Sequence, residues 1–401
     1  MFAVIARNKK ASIYIFALAA ALVLVSLVVG LSATIMQFRR NSRTNTEIDR
    51  AKIYAELGVR HALYFTSVEP NWRSLLQSGT WLQDIPIDNA TYTVTGTDPD
   101  DGSLLDGDEF IVELSCTAKI NLTQQTLSVL TQNYPSELLK YAVAADGLLK
   151  ISDRVQINGN AFTNDSIDKK NADTWIFGNA QAVGIIHEVR NITGIIAPGS
   201  DPKSFPDDQA IIDFYLTQST PIPFQEHIQK VLITPNSNPY GPTNPDGIYS
   251  IDCANQRIEI RDCRIFGTLV LINPKSDSTI GEGMNWQPGK PNLPALIIDG
   301  PIEIRTTINL DEDHCDTDFN LPHEPGFDDN NDIFLNKITG PIFCRGDLTI
   351  SQRSKIVGPV IVTGALEVKH DAEITADSQF YDQPPKMFMD SRLDLIPHTW
   401  R

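Results

Sequence analysis

The sequence predicts a mainly β protein on a helical stalk: an N-terminal transmembrane helix with a helical extension, a small β module, and a parallel β-helix (solenoid) of about 18 residues per coil. Three observations predict it. The stretch from Ala11 to Phe38 contains no charge. From about Ile85 the apolar period changes to two, as in half-buried strands. Finally, "KITGPIFCRGDLTISQRS" (337–354) is followed at once by "KIVGPVIVTGALEVKHDA" (355–372), with Lys, Ile, Gly, Pro, Gly and Leu in the same places.

The apolar stretch comes first. It is 28 residues long, and about 20 apolar residues span a bilayer, so 1–38 is read as a basic start and a retained anchor. A cleaved signal would have a shorter apolar core and a small-x-small site. Arg7, Lys9 and Lys10 precede the span and Arg39, Arg40 and Arg43 follow it, so the positive-inside rule does not orient it. Residues 39–84 continue as a helical extension. Ala51, Ala55, Gly58 and Ala62 lie at helical spacing and form a seam of small side chains that lets another backbone approach closely. Tyr54, Leu57, His61 and Tyr64 form a bulkier stripe beside it. Glu69-Pro70 ends the helix, because a residue before proline is pushed out of the helical region.

The basic start, the long apolar helix and "RAKIYAELGVRHAL" (50–63) together resemble the N-terminal region of PilX-type minor pilins and the pseudopilins of type II secretion. That resemblance implies a single-pass inner-membrane protein whose helix packs in a pilus-like assembly and whose body lies outside the cytoplasm. Its partners would be the lipid bilayer, through Ala11 to Phe38, and other pilin-like envelope proteins, through the Ala51, Ala55, Gly58 and Ala62 face. The chain departs from typical prepilins in one respect. No carboxylate occurs between Ala11 and Phe38, and the fifth residue after Ala11 is Phe16 rather than Glu.

Residues 85–134 read as the small β module, with alternating runs at 90–97, 109–120 and 124–132. The acidic loop between the first two carries Asp98, Asp100, Asp101, Asp106 and Asp108, without EF-hand spacing. It is read as a solvated turn.

From 135 to 380 the pattern Gly-x-Leu-x-[Ile/Val], five residues, then Ile recurs at Gly147, Gly346 and Gly364. Helical repeats are longer and show 3–4 spacing. Units of about 18 residues fit three short strands and three corners, with Gly at turns that other residues cannot adopt cheaply. Excursions are expected near 198–250, 274–294 and 311–336. The first should hold a helix capped near Ser204, with Ile211, Ile212, Phe214 and Tyr215 turned inward. The tail 381–401 is expected to cap the open edge of the last coil through Met387, Phe388 and Trp400. This part resembles bactofilin-like β-solenoids and membrane-anchored bacterial proteins that join a PilX-like start to such a domain. That resemblance carries architecture and no catalytic motif.

Charge and cysteines narrow the function. Residues 1–60 hold nine Lys/Arg against three acids, which leaves −23 on the remainder of a chain whose net charge is −17. Such a body is unsuited to nucleic acid, whose phosphates need basic patches. The five cysteines form no CxxC pair. They are read as buried free thiols, one Cys253–Cys263 bridge being compatible with export. Nine carboxylates crowd residues 311–332. Within them Asp328, Asn330 and Asp332 alternate as calcium ligands do, but Ile333 stands where the turn needs Gly. An acidic loop is the preferred reading, with those three as candidates for Ca²⁺ and no other cofactor. With no GxSxG, P-loop or HExxH, no enzyme activity is expected. The expected role is a membrane-anchored envelope protein whose solenoid is a rigid interaction module. The alternatives are a cytoplasmic, bactofilin-like scaffold and a polysaccharide-binding or polysaccharide-cleaving β-helix.

Overall fold

The computed structural model describes residues 3–401 apart from 70–71, 77–78, 101, 103, 105–110, 172, 322–330 and 391. One helix, α1 (Ala3–Val68), runs without a break through the apolar stretch and beyond it. Its apolar part is fully exposed and is long and apolar enough to cross a membrane. It ends just before Glu69-Pro70, as the proline requires.

The C-terminal half of α1 lies on an antiparallel sheet of β1 (Gly79–Ile87), β2 (Ala90–Thr97), β3 (Ile111–Ile120) and β4 (Thr123–Gln132), joined in chain order. β1 begins inside the span 39–84 assigned to the helical extension, beyond the helix end at Glu69-Pro70. The correction has a physical cause: Leu82, Ile85 and Ile87 pack into the same core as α1 and extend the sheet at its edge. The small seam does not await a partner protein. Ala51, Ala55 and Ala62 are buried, and a Cβ on Gly58 would stand 2.3 Å from Cys116 Sγ on β3. The backbone that approaches it closely is the chain's own sheet. Polar clamps hold the contact, since Tyr54 Oη donates to Asp88 Oδ2 (2.7 Å) and Glu47 accepts from Asn121 Nδ2 (3.1 Å) and Thr123 Oγ1 (3.2 Å).

Most of the remaining strands form a ten-stranded and a 14-stranded sheet in which every pairing is parallel, and neither sheet closes on itself. The 18-residue repeat is visible as register: Ile342 pairs with Val360, Leu348 with Leu366 and Lys355 with Glu373. One inward row reads Ile302, Leu348, Leu366, Leu149, Ile167, with every side chain buried. Gly358 sits at φ 137° at a corner, where a Cβ would lie 2.7 Å from the backbone of Gly340. Only glycine fits there.

The order of the strands departs from the sequence reading. An open edge on the last coil, which the tail would cap, requires successive repeats to stack in chain order. Instead Val360 pairs with Val143, Leu366 with Leu149 and Glu373 with Gln156, so the last repeat lies beside the first. The repeats after 158 extend one way from that junction and those before 355 extend the other. Two expected excursions also contain ladder strands. Thr279–Gln287 lies within 274–294 and His227–Ile233 within 198–250. Insertions lengthened these units past the repeat and hid their period. The described residues of 311–336 lie outside the ladders, and Leu310 pairs antiparallel to Phe334.

The outer side of the ten-stranded sheet is covered. The helix Asp208–Gln218 lays Ile211, Ile212, Phe214 and Tyr215 against Ile248, Val270 and Ile297. Its cap is Asp207 rather than Ser204, because the Asp207 carboxylate accepts from Ala210 N at 2.9 Å. Met387 and Phe388 of the tail join the same cluster, with Phe388 edge-on to Phe343 at 5.8 Å. The tail then turns to the antiparallel sheet, where Asp394 pairs with Gln132 and Leu395 with Thr131 of β4. It therefore ties the two regions together and caps no open ladder edge, and Trp400 is left 38% exposed. The last repeat has no open edge to cap, since the first repeat occupies that place.

Candidate functional site

Part of one outward side of the 14-stranded sheet remains open, up to Asn285 and Arg264, which the 311–336 excursion covers. Along it the pairings Trp175–Gln156, Gln156–Glu373 and Glu373–Lys355 place those four side chains in a continuous row. Lys337 continues the row, because Ile338 and Thr339 pair with Ile356 and Val357. Phe177, Asn158, Thr375, Val357 and Thr339 follow two residues on. In a parallel ladder such rows advance by about 4.8 Å per strand.

Lys337, Lys355, Glu373 and Thr375 floor a groove of about 560 Å³, walled on one side by Thr307–Asn309, Leu335 and Asn336. A second recess of about 510 Å³ adjoins it and shares Thr307, Ile308 and Arg353. Its rim is the corner where Arg154, Arg353 and His370 project. There Arg154 holds Asp371 through two hydrogen bonds of 2.6 and 2.9 Å, and His370 Nδ1 lies 3.2 Å from Asp153 Oδ2. The Arg154 guanidinium lowers the Asp371 carboxyl below its ordinary value. On the floor, Asn158 Nδ2 donates to Glu373 Oε1 and Thr375 Oγ1, each at 3.1 Å, while Lys355 Nζ stands 3.9 Å from Glu373. Lys337 and Arg353 make no ion pair among the described residues. At the end of the row Trp175 and Phe177 stack, with centroids 5.3 Å apart and planes 8° from parallel, and both rings are solvent-exposed. An exposed aromatic surface, amide and hydroxyl groups and unpaired cations can bind an elongated anionic molecule.

The residues singled out from the sequence lie elsewhere. Of the calcium candidates, Asp328 and Asn330 fall outside the described residues. Asp332 is half-buried, donates its backbone N–H to Glu312 Oε2 at 3.1 Å, and leaves its Oδ2 without a hydrogen-bond partner. Asp98 is buried, with one oxygen accepting from Asp100 N, while Asp101, Asp106 and Asp108 fall outside the described residues. Among the described residues no three His, Cys, Asp or Glu side chains are grouped to hold a metal ion. His61 is packed on the sheet, with Nδ1 2.7 Å from Tyr92 Oη. All five cysteines are buried free thiols, and burial pushes Cys116, Cys253 and Cys263 up to about 12.

The open row escaped the sequence reading, although a signal for part of it was present. Lys337 and Lys355 occupy the same position of the quoted repeats and so had to be ladder neighbours. Gln156 and Trp175 could not be placed beside them without knowing that the last repeat rejoins the first.

No protein-family model matches the chain, and no curated protein matches its sequence. Solved structures do resemble it. The competence-associated pilin ComZ from Thermus thermophilus is similar at 10% identity over 89% of this chain and 97% of that one, with a TM-score of 0.36. An ice-binding protein from an Antarctic bacterium of the Flavobacteriaceae is similar at 14% identity and a TM-score of 0.26, over 61% of this chain and 48% of that one. An ice-binding protein from the Antarctic ascomycete Antarctomyces psychrotrophicus is similar at 11% identity over 61% of this chain and 98% of that one, with a TM-score of 0.24.

Proposed function

We propose that the protein is a membrane-anchored component of a bacterial cell envelope, built on a pilin-like plan and without enzymatic activity. Its parallel ladders wind into a β-solenoid that serves as a rigid extracytoplasmic interaction module. One observation carries this reading. The exposed apolar part of α1 passes without a break into the part buried on the antiparallel sheet, so whatever holds the anchor also holds the body. Burying a helix of that hydropathy in lipid is strongly favourable, whereas leaving it in water is not. Contacts with other pilin-like subunits then fall to the apolar stretch and the exposed Ile53, Leu57 and Tyr64, since the small seam is already filled.

The cytoplasmic scaffold keeps one observation in its favour. The tail covers neither end of the ladders, so end-to-end stacking is not blocked by it. Topology separates the two. In a background with all five cysteines replaced, Ser237→Cys introduces a thiol on an exposed turn. Labelling of intact spheroplasts by a membrane-impermeant maleimide is the expected result. Labelling only after lysis would overturn the extracytoplasmic reading and leave the scaffold.

A further inference from the structure

The geometry points to the open row from Trp175 to Lys337 as a binding surface for a linear anionic polysaccharide, one whose sugar units carry carboxylates. This deepens the envelope reading and rests on it for access to such a polymer. Three features select this ligand, and they come from different parts of the sequence.

The first is charge. A body carrying −23 beyond residue 60 nevertheless gathers Lys337, Arg353 and Lys355 at one groove. Among the described residues Lys337 makes no ion pair, Arg353 shares a recess with Asp371, which Arg154 already holds, and Glu373 lies 3.9 Å from Lys355. Cations gathered at one place on an acidic surface attract an anion there, while the rest of that surface repels it. Secondly, the aromatic pair is in the wrong place for a core. Trp175 and Phe177 lie on the outward side of their strand while Ile176 between them is buried, so their rings present a flat apolar surface to solvent. The C–H face of a sugar ring stacks on such a surface, and its hydroxyls find the amides and hydroxyl of Gln156, Asn158 and Thr375 alongside.

The third feature is shape. The row is straight because its register is one strand per step. From Trp175 to Lys337 it covers four steps, or about 19 Å, long enough for several sugar units and far longer than a single small anion needs. Leu335 closes the Lys337 end, where Asn285 on the next strand donates its Nδ2 to Leu335 O at 3.0 Å, while the Trp175 end lies at the edge of the sheet and admits a chain. An acidic peptide would satisfy the cations, but it would not require the stacked rings.

The test uses the full chain in mild detergent, titrated with oligogalacturonate, with dextran as the neutral glycan and polyglutamate as the acidic peptide. Oligogalacturonate is expected to bind with an affinity that falls as salt rises, and dextran is expected to bind at least tenfold more weakly. The double variant Lys337→Glu, Arg353→Glu and the single variant Trp175→Ala should each lower oligogalacturonate affinity about tenfold or more. All three side chains are at the surface, and unchanged thermal unfolding of the variants would show that the fold is kept. Absence of binding, binding that survives the charge reversal, or binding indifferent to Trp175→Ala with polyglutamate equally effective would each overturn the proposal. Because the protein is purified, these results do not depend on which side of the membrane the body occupies, so failure here leaves the maleimide result intact.

Discussion

The antiparallel region and the parallel region of this protein use β-structure in opposite ways. In the first, β2, β3 and β4 pair in chain order, and Ile120 meets Thr123 across a short turn. In the second, partners lie a repeat apart or much farther: Val143 meets Ala161 on one side and Val360 on the other. Local pairing leaves a one-sided sheet, which α1 must cover. Repeated pairing buries its own inward rows but leaves outer sides that only some insertions cover. A region that encloses its own core can leave part of an outer side free for binding. A region that depends on a helix for its core cannot.

The largest test of this contrast concerns the tail that bridges the regions. Phe388→Ala should cost about 3–5 kcal/mol, because the ring is fully buried against Phe343. Urea unfolding followed by tryptophan fluorescence should show both regions destabilised together, since Trp72 and Trp81 report the antiparallel core. Loss confined to the parallel region would break the idea that the tail couples the two.

A smaller effect separates close backbone packing from close side-chain packing. Gly358→Ala sets a Cβ against the Gly340 carbonyl at a positive φ, and about 1–3 kcal/mol should be lost. In Gly58→Ala the clash is with the Cys116 and Tyr92 side chains, which can shift, and the helix gains about 1 kcal/mol of propensity. The net loss there should be smaller. Thermal unfolding of the two variants would rank them, and a reversed order would show that the helix–sheet contact is the more rigid one.

The smallest effect is on pH dependence. The Cys116 thiol is raised from 9.0 to about 12 by burial against α1. Between those values the folded chain holds a proton that the unfolded chain releases. Stability from this group is therefore complete below about pH 9 and lost as pH rises toward 12. Cys116→Ala should reduce the alkaline slope of stability by up to about 1.4 kcal/mol per pH unit. An unchanged slope would mean that water reaches the seam.

Much of this was legible in the sequence. The uncharged stretch, the end of α1 at Val68, strands β2 to β4, the helix bearing Ile211 and Tyr215, and the parallel register of the quoted repeats all follow from patterns within a few tens of residues. Those features rest on local causes: apolar period, proline, and glycine at a corner. Lys169 shows where such reading fails. It continues the inward row after Ile350, Val368 and Ile151, yet it is a buried lysine whose Nζ donates to Asn171 O at 3.0 Å. Desolvation lowers its pKa.

By itself, then, the sequence determined a long apolar helix, an antiparallel module and a repeat that pairs in parallel, because each is set by side-chain spacing along a short stretch. Only the tertiary structure decided which repeats are neighbours, what fills the small seam of α1 and which side stays uncovered. The physical reason is that a parallel strand offers the same hydrogen-bonding edge to any partner of matching register. Nothing in the repeat itself distinguishes the next unit from the one two hundred residues away. That choice falls to the insertions and the tail, whose packing exists only once the chain has closed up.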